Sequence, residues 1–401
     1  MFLNSVKWGG VNTFAQQGSN LLRISLLSIF LGPNVLGEYA LAATIFAAIS
    51  ILVDLGLKQL YVAGQLDINE VSQEIVTSTI WWLNAICRLI IIFIIFIVWF
   101  IVFLFNSDFE WLDMTLVLSL SIFISAISNS IFLTYERIGN FKYQAILTLS
   151  SELMALIFFS IFLYSNLGVW GLVLSQLIAS IVFAIFSYLF FPLKKIFSFN
   201  KKVATLAFDH GKNFIKISAT TFTTYSFDKL ILGFFVSNEA LSLYYVAQKI
   251  CEIPAQFLTL VVNRALLPFL RIQYEAKKHH QVFLLLVSKL KILFVFTLFF
   301  SLLILFFNIS VDLKEWERVF NLIPWILIGV ILRSMVQLLG TLFVLNGKIS
   351  IDANYKVQEA IVYVVLMPFF AWIFGLYGVV TSFIIIYSIT FYRRYIYIKD
   401  I

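Results

Sequence analysis

Long apolar stretches dominate this sequence, and they leave little room for any fold other than a bundle of membrane helices. About twelve of them reach roughly the 20 residues that a helix needs to cross a bilayer. The chain is 61% hydrophobic and only 12% charged, which lies outside the composition of soluble domains. Because the runs are continuous and not alternating, they favour helices over the strands of a membrane β-barrel. The predicted fold class is an all-α, polytopic membrane protein with spans at 10–30, 38–57, 79–105, 112–134, 143–164, 170–191, 213–236, 239–262, 283–308, 320–344, 351–373 and 376–397.

The basic residues indicate how these spans are oriented. Of the 28 Lys and Arg, five lie within spans, and only Lys314 and Arg318 fall in predicted outer segments. The others, including Arg393 and Arg394, fall in predicted inner segments. Since cytoplasmic loops are enriched in Lys and Arg, this asymmetry supports the span count and places both termini in the cytoplasm. The net charge of +7 then reflects orientation, and no nucleic-acid partner is needed to explain it.

An internal repeat relates the two halves of the chain. The segment at 31–42 matches the segment at 236–247 at an offset of 205, and Gly168 matches Gly375 at an offset of 207. Six spans in each half is an even number, so both halves begin on the same side of the membrane and form parallel repeats. The predicted organisation is an N-terminal six-helix lobe at 1–191, a basic cytoplasmic linker at 192–212 and a C-terminal six-helix lobe at 213–401.

Five basic residues lie inside the predicted spans: Arg23, Arg88, Lys229, Lys249 and Arg333. A charge at the centre of a membrane helix costs about 2.5–3.5 kcal/mol on insertion scales. We therefore expect these side chains to face a protein interior or a watery cavity. Their estimated depth, about 14 to 24 Å from the cytoplasmic end of each span, places them in the middle and outer half of the membrane. A cavity lined by such cations would bind an anion, and Arg suits a phosphate because its planar fork makes bidentate contacts.

Polar stripes accompany these cations. Asn12, Gln16 and Asn20 follow one another at intervals of four residues on the first span, which puts them on one helical face. Gln248 precedes a lysine of the eighth span, and Gln337 lies one turn after an arginine of the tenth. These amides supply the hydrogen bonds that a sugar requires, so we predict that they contribute to substrate binding.

Acidic residues offer a structural interpretation for some of the cations. Lys229 adjoins Asp228, and Lys249 is three residues before Glu252, close enough to pair within one helix. The three arginines have no acidic residue within reach on their own helices, although Glu152 of the fifth span could pair with one of them across helices. The two lysines are therefore assigned either to ion pairs or to a cavity, and the arginines to a cavity.

Sites for metals or cofactors are not predicted. Cys87 and Cys251 both lie in apolar stretches, and His210, His279 and His280 lie in basic loops. The chain has no phosphate-binding loop of the kind found in ATP-driven pumps and no glycine-rich dinucleotide turn. We expect no catalytic residues, no metal and no cofactor.

Several short motifs at consistent spacing point to one family. The chain resembles the polysaccharide flippases of the Wzx type, within the multidrug/oligosaccharidyl-lipid/polysaccharide exporter superfamily. The resemblance extends from about Val6 to the twelfth span. It rests on Leu31-Gly32-Pro33, Gly37-Glu38-Tyr39, Asp54-Leu55-Gly56, Asp228-Lys229-Leu230-Ile231-Leu232-Gly233, Tyr245-Val246-Ala247 and Pro268.

This resemblance implies a specific function. Such proteins flip an undecaprenyl-diphosphate-linked oligosaccharide, often an O-antigen unit, to the outer leaflet of the bacterial inner membrane. Their two lobes surround a central, often cationic cavity and alternate access to it, and membrane lipids, a polysaccharide polymerase and chain-length proteins are the implied partners. The resemblance leaves open coupling to a proton or sodium gradient, for which Glu152, Asp228 and Glu252 are the candidate carriers.

Two other functions compete with this one. An ion-coupled exporter of small molecules would share the superfamily, but its drug-exporting members rely on acidic cavity residues, whereas intramembrane bases here match or outnumber acids. A membrane-embedded glycosyltransferase or polymerase would need a large extramembrane loop or a cluster of catalytic acids. The longest predicted outer connection, near 309–319, is short.

Overall fold

The structure is a computed structural model, and it describes most of the chain. The described residues are 2–30, 33–53, 57–62, 66, 71–105, 109–137, 140–191, 198–261, 295, 317–345 and 349–399. The ninth predicted span, at 283–308, lies outside them apart from position 295, and so does the first part of the predicted linker, at 192–197.

Helices make up nearly all of the described chain, and their bounds follow the apolar runs of the sequence. One short 3-10 turn, Ser130–Phe132, separates α5 from α6. The helices are α1 (Phe2–Phe30), α2 (Pro33–Val53), α3 (Leu57–Val62), α4 (Gln73–Leu104), α5 (Glu110–Asn129), α6 (Leu133–Arg137), α7 (Lys142–Tyr164), α8 (Trp170–Phe190), α9 (Lys201–Phe235), α10 (Asn238–Val261), α11 (Glu317–Leu345) and α12 (Ile349–Lys399).

The predicted fold class is confirmed: this is an all-α, polytopic membrane protein. Apart from the ninth, the predicted spans fall on described helices, although 54–56 of the second span and 262 of the eighth lie outside the described residues. The fourth span covers α5, the 3-10 turn and α6, and the last two fall together on α12. Among the described residues, six helices are long and apolar enough to cross a membrane. Helices α1, α2, α9 and α10 are not among these six, although α2 contains the shorter apolar stretch Leu36–Ser50.

Helix α9 is longer than one membrane crossing requires. Its 35 residues would extend about 52 Å, against a hydrocarbon core of about 30 Å. Near its beginning, Val203, Ala204 and Ala207 are buried in an apolar core with residues of α3 and α4. The basic stretch predicted as a linker is therefore helical from Lys201 onwards.

Two glycines at matching positions of the internal repeat have nearly equal, positive φ angles. Gly168 lies between α7 and α8 with φ of 55°, and Gly375 interrupts α12 with φ of 56°. This left-handed region is accessible to glycine without a steric penalty. At Gly375 the backbone is not helical, so α12 consists of two helical segments that meet at this residue.

The described chain forms two compact units. The first comprises Met1–Leu31 and Leu41–Phe222, and within it α7 packs against α1 and α8, while α5 packs against α4 and α8. The second comprises Gly32–Ala40 and Thr223–Ile401, and within it α11 packs against α10 and α12. The divisions between the units therefore fall between α1 and α2, within α2 and within α9.

Candidate functional site

A buried ion pair joins α1 to α7 in the first unit. The Arg23 side chain is only 1% exposed, and its Nη2 atom lies 3.0 Å from Oε2 of Glu152. The same guanidinium donates hydrogen bonds to Ser175 Oγ at 3.0 Å and to Gln176 Oε1 at 3.3 Å, both on α8. The expectation that Glu152 pairs with an arginine of another span is confirmed. Arg23 is thus held by several acceptors inside the unit.

A small polar cavity of about 80 Å³ lies beside this ion pair. Ser125, Ser151 and Ser180 line it, and each donates its hydroxyl proton to a carbonyl of its own helix. Their oxygen lone pairs therefore remain available as acceptors, and a cavity of this polarity and size can hold several waters. The remaining lining residues are Gln16, Thr148, Glu152, Gln176, Ala179 and Phe183.

Arg88 has a different environment from Arg23. It lies half-buried on α4 and donates a hydrogen bond from Nη1 to the Ile122 carbonyl of α5 at 3.2 Å. The same carbonyl accepts the Ser125 hydroxyl at 3.1 Å, so Arg88 is linked through it to a residue that lines the cavity. The guanidinium is therefore only partly shielded.

The second unit contains a cluster of five charged residues on α9, α10 and α11. Arg333 Nη2 lies 3.0 Å from Oε1 of Glu252, and both side chains are at most 7% exposed. Lys249 lies 4.0 Å from the other oxygen of Glu252, and Lys229 lies 3.6 Å from Asp228. The pairing that the sequence suggested for the two lysines is confirmed. We refer to these five residues as the unit 2 charge cluster.

Asp228 is the most extensively bonded residue of this cluster. One of its oxygens accepts hydrogen bonds from the Tyr244 hydroxyl at 2.6 Å and from Gln248 Nε2 at 3.0 Å. Its other oxygen accepts the backbone N–H of Lys229 at 2.9 Å. Gln248 therefore has a positioning role within the unit, because its amide holds the Asp228 side chain.

Lys249 is the most accessible cation of the unit 2 charge cluster. Its side chain is 26% exposed, whereas those of Lys229 and Arg333 are 7% and 5% exposed. The ammonium lies over the Tyr245 ring at 5.5 Å from the centroid, and Tyr245 packs edge-on against Tyr39 at 6.2 Å. A cation held over an aromatic ring, with part of its surface free, can contact a bound anion.

The predicted amide residues are not all found together. Gln16 lines the cavity of the first unit and Gln248 binds Asp228. Asn12 and Asn20 on α1 and Gln337 on α11 are half-buried and are not among the residues that line that cavity.

Sequence reasoning missed a second buried cluster in the second unit. We assigned Arg394 to an inner segment from the sequence, and in the structure its side chain is only 1% exposed. It lies 3.0 Å from Asp352 and 3.6 Å from Glu359, and it donates to the Val336 carbonyl at 3.2 Å. Lys356 contacts Asp352 from the more exposed side at 3.4 Å. These four charged residues are called the α12 network below.

Two signals in the sequence could have revealed the α12 network. The first signal is the spacing of Asp352, Lys356 and Glu359, which lie at successive intervals of four and three residues. This spacing places them on one helical face. Glu359 also corresponds to Glu152 at the offset of 207, the same offset that relates the two glycines. Arg394 gave no signal, since it lies near the end of a span, where basic residues are common.

Metal ligands are not clustered in the described part of the chain. No group of three His, Cys, Asp or Glu side chains there could hold a metal ion.

Comparison with known proteins identifies the family. The family described as "Polysaccharide biosynthesis protein" matches residues 26–311. The amylovoran biosynthesis protein AmsL of Erwinia amylovora is 29% identical over 148 residues, which cover 35% of this chain and 37% of that protein. The chain thus matches little more than a third of the length of this relative.

Solved structures share the fold. An inward-facing multidrug resistance MATE family transporter of the MOP superfamily superposes with a TM-score of 0.73, at 14% identity, covering 97% of this chain and 95% of that one. The lipid II flippase MurJ in an inward closed conformation gives a TM-score of 0.71 at 16% identity, covering 98% and 87%. The chain therefore has the fold of these membrane transporters, and by the extent of the family match it belongs to the polysaccharide biosynthesis protein family.

Proposed function

We propose that this chain flips an undecaprenyl-diphosphate-linked oligosaccharide, such as an O-antigen unit, from the cytoplasmic to the outer leaflet of a bacterial inner membrane. Membership of the polysaccharide biosynthesis family supports a role in polysaccharide export. The fold shared with a lipid II flippase supports a lipid-linked cargo, and the relationship to an amylovoran biosynthesis protein supports a surface polysaccharide. The protein acts as a transporter and not as an enzyme.

The observation that carries this proposal is a partly exposed cation, Lys249, within the unit 2 charge cluster. The cluster has three bases, Lys229, Lys249 and Arg333, and two acids, Asp228 and Glu252. A partly exposed ammonium can form a charge-assisted hydrogen bond with a phosphate oxygen. A lipid diphosphate supplies such an oxygen, whereas an organic cation would be repelled by Lys249.

Lys249 is the proposed contact for the diphosphate. It is the cluster cation with accessible surface, and its contact with Glu252 is the weaker of the two that this carboxylate makes, 4.0 Å against 3.0 Å for Arg333. A phosphate oxygen can therefore replace Glu252 at the ammonium while Arg333 keeps the carboxylate neutralised. Tyr245 and Tyr39 beside it are both buried, and the Tyr245 ring holds the ammonium in place.

The other intramembrane cations have different proposed roles. Arg23, Lys229 and Arg333 position carboxylates inside their own units, and their long-range field attracts the anion. Arg88 is half-buried, and we propose it as a second contact for the anionic substrate. We propose that the amide side chains contact sugar hydroxyls directly or position the groups that contact these hydroxyls. These amides are Asn12, Gln16, Asn20, Gln248 and Gln337.

A second function is an ion-coupled exporter of small molecules, which the fold of the multidrug transporters favours. Under the first proposal, the product passes to a polysaccharide polymerase and chain-length proteins, and such proteins would be partners. Under the second, the substrate is soluble and no polysaccharide depends on the chain.

Complementation of a flippase-null strain that carries the matching sugar pathway separates the two functions. Surface polysaccharide should return when this chain is expressed and should fail to return with Lys249→Ala at equal membrane levels. Lys202→Ala, which removes an exposed lysine of the first unit, is the matched control. Drug resistance without polysaccharide would favour the exporter.

A further inference from the structure

The first turns of α2 pack within the second unit, although the rest of α2 belongs to the first. Leu36, Tyr39 and Ala40 are buried there, and so is Gly37 between them. We refer to residues 36–40 as the α2 strap. This strap is a piece of the N-terminal half of the chain that contributes to the unit containing Lys249.

Gly37 brings the α2 strap against the backbone of α10. A Cβ atom added at Gly37 would overlap the carbonyl oxygen of Asn238 and lie 2.9 Å from its Cα atom, which is closer than Cβ atoms approach other groups. Asn238 is the first residue of α10. Because the obstructing atoms are backbone and not the end of a flexible side chain, only glycine permits this approach. Gly37 therefore sets the distance between the strap and α10.

Tyr39 lies two residues after Gly37 and contacts the ring of Tyr245 on α10. The two ring centroids are 6.2 Å apart and the ring planes meet at 85°. Aromatic pairs favour this edge-on arrangement. Both rings are buried, so each limits the tilt of the other.

The Tyr245 ring in turn lies beside the Lys249 ammonium, one helical turn further along α10. The ammonium is 5.5 Å from the ring centroid. Glu252 attracts the same ammonium from 4.0 Å. Since a lysine side chain is long and flexible, we expect its ammonium to move onto Glu252 when the ring is lost. That ion pair would then compete with a phosphate oxygen for Lys249.

The internal repeat shows where the α2 strap departs from its counterpart. At the offset of 205, Tyr39 matches Tyr244, whose hydroxyl donates to Asp228 at 2.6 Å. Gly37 matches Ser242, which has a side chain. The tyrosine thus occurs in both copies, while glycine occurs in the copy where the backbone approach requires it. One tyrosine of the repeat holds an acid of the unit 2 charge cluster, and the other supports the ring beside a base.

We propose that Gly37 and Tyr39 are positioning residues for Lys249. The glycine lets the strap reach α10, Tyr39 fixes the ring of Tyr245, and that ring keeps the ammonium from closing on Glu252. This inference rests on the proposed function, because the anion that the ammonium receives is the diphosphate of the lipid-linked substrate. Both residues act through Lys249 and not on the anion itself.

The position of the Lys249 ammonium can be measured by NMR without any transport substrate. Reductive methylation with isotope-labelled formaldehyde adds visible methyl groups to a lysine and keeps its charge. The Lys249 side chain is 26% exposed, so the reagent can reach it. Protons over the face of an aromatic ring resonate upfield, so the full chain in nanodiscs should give an upfield methyl signal. The signal is assigned by its absence in Lys249→Arg, and it should move downfield in Tyr245→Leu.

A matched pair of substitutions isolates the ring of Tyr39. Tyr39→Phe and Tyr39→Leu both lose the hydroxyl and keep an apolar side chain, but only phenylalanine keeps the ring. The Lys249 signal should stay in place in Tyr39→Phe and move downfield in Tyr39→Leu. Gly37→Ala should also move it downfield, because the strap must retreat from Asn238. Gly10→Ala, whose Cβ meets nothing within 4 Å, is the control for the glycine and should leave the signal unchanged.

Two spectroscopic results would overturn the proposal. One is a signal at the wild-type position in both Tyr39→Leu and Gly37→Ala. The other is an equal displacement in Tyr39→Phe and Tyr39→Leu, which would show that the ring of Tyr39 does not position the ammonium.

Calorimetry with a soluble, short-chain prenyl diphosphate connects the position of Lys249 to binding. Tyr39→Leu and Gly37→Ala should weaken binding about three- to tenfold, as expected for loss of a cation–π contact, and Tyr39→Phe should bind like the wild type. In a Lys249→Ala background, Tyr39→Leu should weaken binding no further. A displaced signal with unchanged affinity would overturn the role in binding. If the wild type binds no diphosphate while the signals move as expected, the flippase proposal alone is refuted and the positioning of Lys249 stands.

Discussion

Arg23 of α1 and Glu152 of α7 form a salt bridge of 3.0 Å in which the arginine side chain is 1% exposed. Because the pair is buried, each charge is stabilised by the other and little by water. Removal of one partner leaves the other unpaired in a medium of low dielectric constant, a change that costs about 3–5 kcal/mol in buried pairs. We therefore interpret Arg23 chiefly as the residue that holds α7 against α1.

Arg23→Ala should accordingly lower the stability of the folded protein. We expect a clear fall in the thermal unfolding temperature in nanodiscs, and a smaller fall for the double variant Arg23→Ala/Glu152→Ala, which removes both charges. Arg318→Ala is the control, since Arg318 pairs with Glu239 at 3.5 Å while 76% exposed, and such pairs contribute about 0–1 kcal/mol. A double variant less stable than Arg23→Ala would show that the pair is not coupled in this way.

The sequence predicted the helices better than it predicted the ion pairs. A span is a local pattern of about 20 apolar residues, so the positions of α4, α7 and α8 could be read directly. The Lys249 contact with Glu252 was also local, because both residues lie on one helix. The Arg23 contact with Glu152 could be named only as one of several pairings, since it joins residues 129 positions apart.

The contacts that were missed depend on which helices become neighbours. Arg333 binds Glu252 because α11 packs against α10, and the sequence gives the polar stripe of each helix but not their adjacency. Arg394 is buried because the two segments of α12 and the end of α11 converge on it. Tertiary packing therefore decided which intramembrane arginines are neutralised within their units.

Lys249→Ala should impair transport more than it impairs folding. The side chain is partly exposed and its contact with Glu252 is 4.0 Å, so its loss removes little from the folded state. A hydrogen bond to a charged group contributes about 1.5–3 kcal/mol, which corresponds to a loss of roughly tenfold or more in affinity for the anion. Lys249→Arg, which keeps the charge, should retain part of the activity.

Translocation of a fluorescent lipid-linked oligosaccharide in proteoliposomes provides the measurement for Lys249. The unfolding temperature should stay near that of the wild type. Unchanged translocation in Lys249→Ala would show that another cation contacts the diphosphate, and Arg88→Ala would then be the next variant to compare.

Arg333 and Glu252 allow the charge balance itself to be varied. Arg333→Ala removes one base from the cluster, so its named bases and acids become equal in number and Glu252 can draw in Lys249 from 4.0 Å. Arg333→Ala/Glu252→Ala removes one base and one acid, so the difference between the named bases and acids is again that of the wild type. We expect the single variant to lose binding of the diphosphate and the double variant to recover part of it.

Binding of a soluble, short-chain prenyl diphosphate, followed by calorimetry, measures this recovery. If the double variant binds no better than the single variant, then Arg333 is needed for a direct contact with the diphosphate. Its neutralisation of Glu252 would then not explain its effect on binding. Arg333→Lys offers a further comparison, because lysine keeps the charge but loses the planar fork.

Gly375 is the position where the backbone within α12 leaves the helical region, with φ of 56° and ψ of −134°. A Cβ atom added there meets nothing within 4 Å, so any effect of alanine must come from the backbone conformation. Positive φ combined with this ψ is adopted almost only by glycine, and such a conformation costs another residue about 1–3 kcal/mol. Gly375→Ala should therefore lower the unfolding temperature, and Gly375→Asn should lower it as well, because Asn tolerates positive φ mainly in the αL region. Gly10→Ala is the matched control: its Cβ also meets nothing within 4 Å, but Gly10 lies inside α1. Since alanine favours a helix by about 1 kcal/mol over glycine, Gly10→Ala should raise the unfolding temperature. Equal shifts in the two alanine variants would mean that the junction within α12 is not maintained by the conformation of this residue.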